Sequence, residues 1–143
     1  MAFGPNPPPL QAHLCVNGGL AAIAFYAKAF GAATPFRQMA DDGCRVLHAN
    51  VEVFGGEIML HDEFAEHGGD VLAPTSRGGA SLAINVNLPS AADVDAAVAR
   101  ARDAGAEVTL APQDTFWGAR YGRIRDPFGH VWAFNAPLNG ARP

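Results

Sequence analysis

Residues 44–54 alternate. Leu47, Ala49, Val51 and Val53 fall on one side and Val46, His48, Asn50 and Glu52 on the other, which is the period of a half-buried strand. Residues 81–88 do the same, with Leu82, Ile84, Val86 and Leu88 on one face. Two stretches change to helical spacing. Leu20, Ile23, Ala24, Ala27 and Phe30 form one apolar stripe, followed by Gly31, which suits a left-handed residue after a helix. Val94, Ala97, Val98 and Ala101 form the second, stopped at Gly105. Ser90 and Asp93 open that helix, since their side chains can cap free backbone N–H groups. Further strands are predicted at residues 10–16, 34–39, 57–62, 107–110, 121–125 and 130–134, with 63–80 as a glycine-bearing loop. The order is strand, helix and three strands, twice over.

Two segments carry a resemblance. AAIAFYAKAFGA, residues 21–32, is a short helix closed by a glycine. QDTFWGARYGRIRDPFGHVWAFN, residues 113–135, reads as a hairpin around Asp126-Pro127-Phe128-Gly129, where Pro fixes φ early in the turn and Gly tolerates positive φ late. Together they resemble the glyoxalase/bleomycin-resistance/dioxygenase superfamily, also called vicinal oxygen chelate (VOC), and its PhnB-like branch most closely. The resemblance covers nearly the whole chain. It implies an α+β fold of paired βαβββ modules, with mostly antiparallel curved sheets forming an open cleft and a helix on each outer face. It also implies a single VOC-type domain over 1–143, made of module 10–62 and module 81–136 joined by loop 63–80, and a homodimer.

Composition narrows the partners. Hydrophobic residues make up 49% and charged residues 17%, an ordinary globular balance for one domain with a real core. The net charge is −4, Lys28 is the sole lysine and no basic run exists, so nucleic acid is not an expected partner. No apolar stretch approaches the roughly 20 residues of a helical membrane span. MAFGPNPPPL lacks a basic region followed by an apolar run, so no secretory signal is read and a cytoplasmic location is expected. Cys15 and Cys44 form no CxxC pair and are expected as free thiols.

If the aliphatic faces lie under the helices, strand parity nominates the residues of the opposite faces. These are Gln11, His13 and Cys15, then His48 and Asn50, then Met59 and His61 in the first half. The second half contributes Ser81, Ala83, Asn85, Tyr121, Arg123, Ala133 and Asn135. A slip of one residue would invert any of these sets. Trp132 and Phe134 share the other parity and are expected in the core. Cys15 has no adjacent base in sequence, so it is not read as a nucleophile.

The resemblance implies four inward metal ligands of the His, Gln or Glu type, and these positions fall on Gln11, Met59, Ser81 and Ala133. Gln11 can ligate, but Met59 is a soft thioether and Ser81 and Ala133 offer little or nothing. No cofactor is therefore predicted. A divalent metal stays open at a different set: His13, His48 and His61 would share one face of three adjacent strands and could hold Zn²⁺ or Fe²⁺. The plainer alternative is that they hydrogen-bond a ligand, water or each other. Trp117 and Tyr121 could stack on a flat ligand, with Arg120 or Arg123 meeting an anionic group; alternatively Trp117 closes a loop and the arginines pair with Asp114 or Asp126.

The reading is a VOC-like protein that binds a small organic molecule through His48, His61, Trp117, Tyr121 and Arg123, without the usual metal. One alternative is a metal-dependent lyase, isomerase or dioxygenase using His13, His48 and His61. Another is a cofactor-free enzyme with His48 or His61 as general base near Arg123. Whether a reaction is catalysed at all is left open by the sequence.

Overall fold

The structure, a computed structural model, describes residues 7–139. The chain divides into two compact units, one ending at Gly79 and the other beginning at Ala80. Among the described residues no helix is long and apolar enough to cross a membrane.

The first unit holds β1 (His13–Val16), α1 (Gly19–Phe30), β2 (Ala33–Met39), β3 (Val46–Val53) and β4 (Gly56–Asp62). Its sheet has the order β1-β4-β3-β2, with β1 parallel to β4 and the other pairs antiparallel. No side chain from the residue before α1 caps the helix. The cap comes instead from Asp62 at the end of β4, whose carboxylate accepts from the backbone N–H of Gly18 at 2.8 Å and of Gly19 at 3.0 Å. Its other oxygen also accepts from Val46 N–H at 2.7 Å. A Cβ on Gly19 would stand 2.6 Å from Asp62 Oδ2 and 2.7 Å from Val46 Cγ2, so the helix can approach β3 and β4 this closely only with glycine there. At the far end Gly31, with φ 67°, returns its N–H to Ala27.

Two features differ from the sequence pattern. The buried face of α1 is Ala22, Phe25, Tyr26, Ala29 and Phe30, whereas Leu20, Ala24 and Ala27 are exposed and Ile23 is half-buried. The helix is apolar almost all round, so spacing does not choose its face. The aromatic rings do, with Tyr26 stacked on Phe30 at 5.7 Å and Phe25 edge-on to both; each such burial is worth about 1.5–3 kcal/mol. The second difference is in β3. Its register against β2 passes from Gln38 opposite His48 to Met39 opposite Val46, so Leu47 is an extra residue. The bulge turns Val46 into the core beside Ala49, Val51 and Val53 and leaves Leu47 41% exposed, reversing their expected sides.

Segment 63–80 is more ordered than a plain loop. It contains a 3₁₀ turn (Ala65–His67) and α2 (Pro74–Arg77). Arg45 ties it down through Glu63 O at 3.1 Å and Glu66 Oε2 at 2.6 Å, with its guanidinium 4.3 Å from the Phe64 ring centre.

The second unit repeats the plan with β5 (Ala83–Asn87), α3 (Ala91–Ala104), β6 (Glu107–Asp114), β7 (Ala119–Arg125) and β8 (Val131–Pro137), in the order β5-β8-β7-β6. Ser90 caps α3 by accepting from Asp93 N–H, and the helix buries Val94, Val98 and Ala101. Ile124, Trp132 and Phe134 are buried on the sheet side. β6 extends to Asp114 and β7 begins at Ala119, so this hairpin is longer than the sequence suggested and its turn carries Phe116, Trp117 and Gly118.

Candidate ligand-binding faces

On the first sheet, β-register sets neighbours. Met59 stands between His13 and Asn50, and His61 beside Cys15. Phe36 and Gln38 stand opposite Asn50 and His48. His13, His48 and His61 therefore share the face that α1 leaves uncovered. Their rings meet edge to face, His13 to His61 at 4.5 Å and His13 to His48 at 5.7 Å.

Two of these rings have a fixed outlook. His61 Nδ1–H donates to the Asp62 carbonyl at 2.7 Å, which leaves Nε2 as an acceptor. His48 Nε2–H donates to Asn50 Oδ1 at 2.7 Å, which leaves Nδ1 as an acceptor. Asn50, 3% exposed, thus orients His48. Parity had placed it on this face, but its two-residue offset from His48 was the only sign of that role.

The basicity of His13 is lowered from 6.5, first by burial and then by His61 and His48. The sign of the consequence is fixed by linkage. Between the lowered folded value and 6.5 the unfolded chain binds more protons, so stability falls as pH falls through that window. Urea midpoints measured from about pH 7.5 to 5 should therefore drop more steeply in the wild type than in His13→Gln; coincident curves would contradict the effect. The low-lying carboxylates act in a separate, more acidic window. Asp42 is held at about 2 by Arg45 and Cys44 backbone N–H groups and the Arg45 side chain, and Glu66 at about 2 chiefly by Arg45.

Cys15 is buried, and its thiol is pushed up to about 11 by burial first and by Glu63 and Asp62 second. It is not a thiolate at neutral pH.

The donors do not fit the four-ligand metal set. Met59 lies beside His13, while Gln11 precedes β1 and donates through Nε2 to Glu57 at 3.0 Å. Ala133 is buried beside Asn85, and Ser81 precedes β5. On the uncovered face of the second sheet, β5 and β8 present Ala83, Asn85, Asn87, Val131, Ala133 and Asn135, with no imidazole or carboxylate. Among the described residues no group of three or more His, Cys, Asp or Glu side chains is arranged to hold a metal ion, the His13, His48 and His61 cluster included.

On the second sheet, Tyr121 stands beside Asn135 and Gln113, and Arg123 beside Ala133 and Leu110. Arg123 Nε–H donates to the Tyr121 hydroxyl at 2.7 Å, and its guanidinium carbon lies 5.5 Å from the ring centre. Trp117 sits edge-on to Tyr121 at 5.8 Å and to Phe116 at 5.0 Å. Trp117 is 56% and Phe116 97% exposed. The sequence reading passed over Phe116; an aromatic beside Trp117 in a turn is the signal that could have found it. Arg120 is committed elsewhere, to Asp95 and Asp114 at 3.0 Å each. The nominated residues thus gather in two groups, one in each unit.

The family model of the Glyoxalase/Bleomycin resistance protein/Dioxygenase superfamily matches residues 10–134. An uncharacterized protein of Mycobacterium bovis is 41% identical over 132 residues, covering 92% of this chain and 84% of its own. Among solved structures, TioX from Micromonospora sp. ML1 is 28% identical with a TM-score of 0.65, covering 90% of this chain and 98% of its own. A PhnB protein from Bacillus cereus, 18% identical with a TM-score of 0.67 over 90% of this chain and 99% of its own, shares the fold.

Proposed function

Because the chain belongs to the glyoxalase/bleomycin resistance protein/dioxygenase superfamily, we propose that it binds a small organic molecule, without a metal at the superfamily's usual positions. Two groups of residues are proposed as ligand contacts, each on its own sheet: His48 and His61 in the first unit, and Trp117, Tyr121 and Arg123 in the second. The observation that carries the reading is the histidine face. The His13 ring meets those of His48 and His61 on a sheet face that α1 leaves uncovered, and the hydrogen bonds of His48 and His61 leave each ring, among the described residues, a second nitrogen open to a ligand or water. Polar groups at a partly buried surface lose free energy unless something satisfies them. A few convergent polar groups among apolar and aromatic side chains are the usual make-up of a small-molecule site.

The proposal takes modules 10–62 and 81–136 as one domain and the working form as a homodimer, the twofold dimer being the commonest closed assembly among soluble oligomers. The test is a thermal-shift screen of aromatic and peptide-like compounds on chelator-treated protein, with sedimentation of the same sample. Binding that survives chelation and weakens by about 1 kcal/mol or more in His48→Ala or His61→Ala supports the reading. Binding that appears only on adding Zn²⁺ or Fe²⁺ and disappears in His13→Ala would favour the metal-dependent alternative. A monomer at micromolar concentration would remove the dimer.

A further inference from the structure

We infer that the ligand is a flat aromatic molecule carrying a carboxylate, and that Arg123 is the residue that reads its charge. The inference rests on the proposed binding function and adds the ligand's chemical class.

β7 carries three arginines, and the structure separates them. Arg120 is ion-paired with Asp95 and Asp114, and Arg125 with Glu107 at 2.6 Å. Arg123, between them, has no carboxylate partner among the described residues; its guanidinium meets the Tyr121 hydroxyl. A guanidinium stays charged at any physiological pH. Its Nε–H is used by Tyr121, and the two terminal nitrogens remain as a parallel pair of donors, the geometry a carboxylate accepts bidentately. Since the Tyr121 oxygen accepts from Arg123, the phenol's own proton is left to donate to the same anion.

The surroundings select for charge and for flatness. Side by side with Arg123 and Tyr121 across the sheet stand Ala133 and Asn135, then Asn85 and Asn87, none of them acidic. The aromatic part comes from Trp117, more than half exposed and 5.8 Å from the ring of Tyr121, whose hydroxyl holds the Arg123 guanidinium. An aliphatic anion would use the cation and waste the ring; a neutral aromatic would do the reverse.

Matched probes test this: naphthalene-2-carboxylate, its neutral carboxamide, and cyclohexanecarboxylate, each titrated by NMR. The wild type should bind naphthalene-2-carboxylate about tenfold or more tighter than either of the other two. Arg123→Gln should abolish the preference over the carboxamide, while Arg125→Gln, which removes a charge already paired, should keep it. Equal affinity for carboxylate and carboxamide in the wild type, or a preference that survives Arg123→Gln, would overturn the inference. If both naphthalenes bind equally and both weaken in Trp117→Ala, the binding site stands and only the charge assignment fails. If neither binds, this inference fails, and the broader screen decides the function separately.

Discussion

Asp126→Ala is expected to destabilise the protein by about 3 kcal/mol or more, since each buried donor left unsatisfied costs roughly 1–3 kcal/mol. Asp126 is buried at the turn between β7 and β8. One of its oxygens accepts from the N–H groups of Phe128 and His130, at 2.9 and 3.0 Å, and the other from Trp132 Nε1–H at 3.0 Å. Alanine strands all three. Asp126→Asn separates the contributions, because its amide can serve the two backbone donors with oxygen but then sets NH₂ against the indole N–H. Urea denaturation should rank wild type above Asn and Asn above Ala, with an unchanged slope. A loss below about 1 kcal/mol in the alanine variant would mean that water replaces the carboxylate at this turn. The effect reaches the candidate site, because the turn fixes the hairpin that presents Tyr121 and Arg123.

Trp117→Ala is expected to do the opposite: little to stability and much to affinity. The side chain is more than half exposed, its ring touching Phe116 and Tyr121. Its removal leaves no buried cavity, so the melting temperature should move by no more than about 2 °C, the shift of a surface change within about 0.5 kcal/mol. As the aromatic platform of the proposed site it should carry about 2 kcal/mol of ligand binding, roughly thirtyfold in Kd. Titration of a screened ligand against both proteins reads the second number directly. A thirtyfold loss accompanied by a large drop in melting temperature would instead make Trp117 a structural residue of the β6–β7 turn.

The contrast between Asp126 and Trp117 shows what the sequence could reveal. Alternation in residues 48–53 and 84–88 and the Ser90 cap were legible because period and capping are local, whereas Leu82, expected on the same face, precedes β5 and is 63% exposed. The side of α1 that packs was not, since an alanine-rich helix offers no polar face to exclude, and only the contacts of Phe25, Tyr26 and Phe30 decide it. Nor was the Leu47 bulge, which depends on pairing with Met39 across the sheet. The roles of Asp62 and Asp126 as buried anchors arise from chain segments brought together by folding, Asp62 at the end of β4 meeting the first turn of α1 and Val46. For the candidate site, parity placed His13, His48 and His61 together, but the choice between Arg120 and Arg123 needed Asp95, twenty-five residues away in sequence, to be seen against Arg120.

The central claim is metal-free binding of a small organic molecule by His48, His61, Trp117, Tyr121 and Arg123, and the chain's two tryptophans give it an internal control. Trp132 is buried with its indole N–H held by Asp126, whereas Trp117 is exposed. A screened ligand should be titrated into chelator-treated protein while the indole N–H and imidazole NMR signals are followed. The account predicts saturable shifts in at least one of the two groups, Trp117 in the second unit or the His48 and His61 rings in the first, with Trp132 still and no change on restoring divalent metal. Binding that leaves Trp117, His48 and His61 unmoved, or that requires the metal, would contradict it.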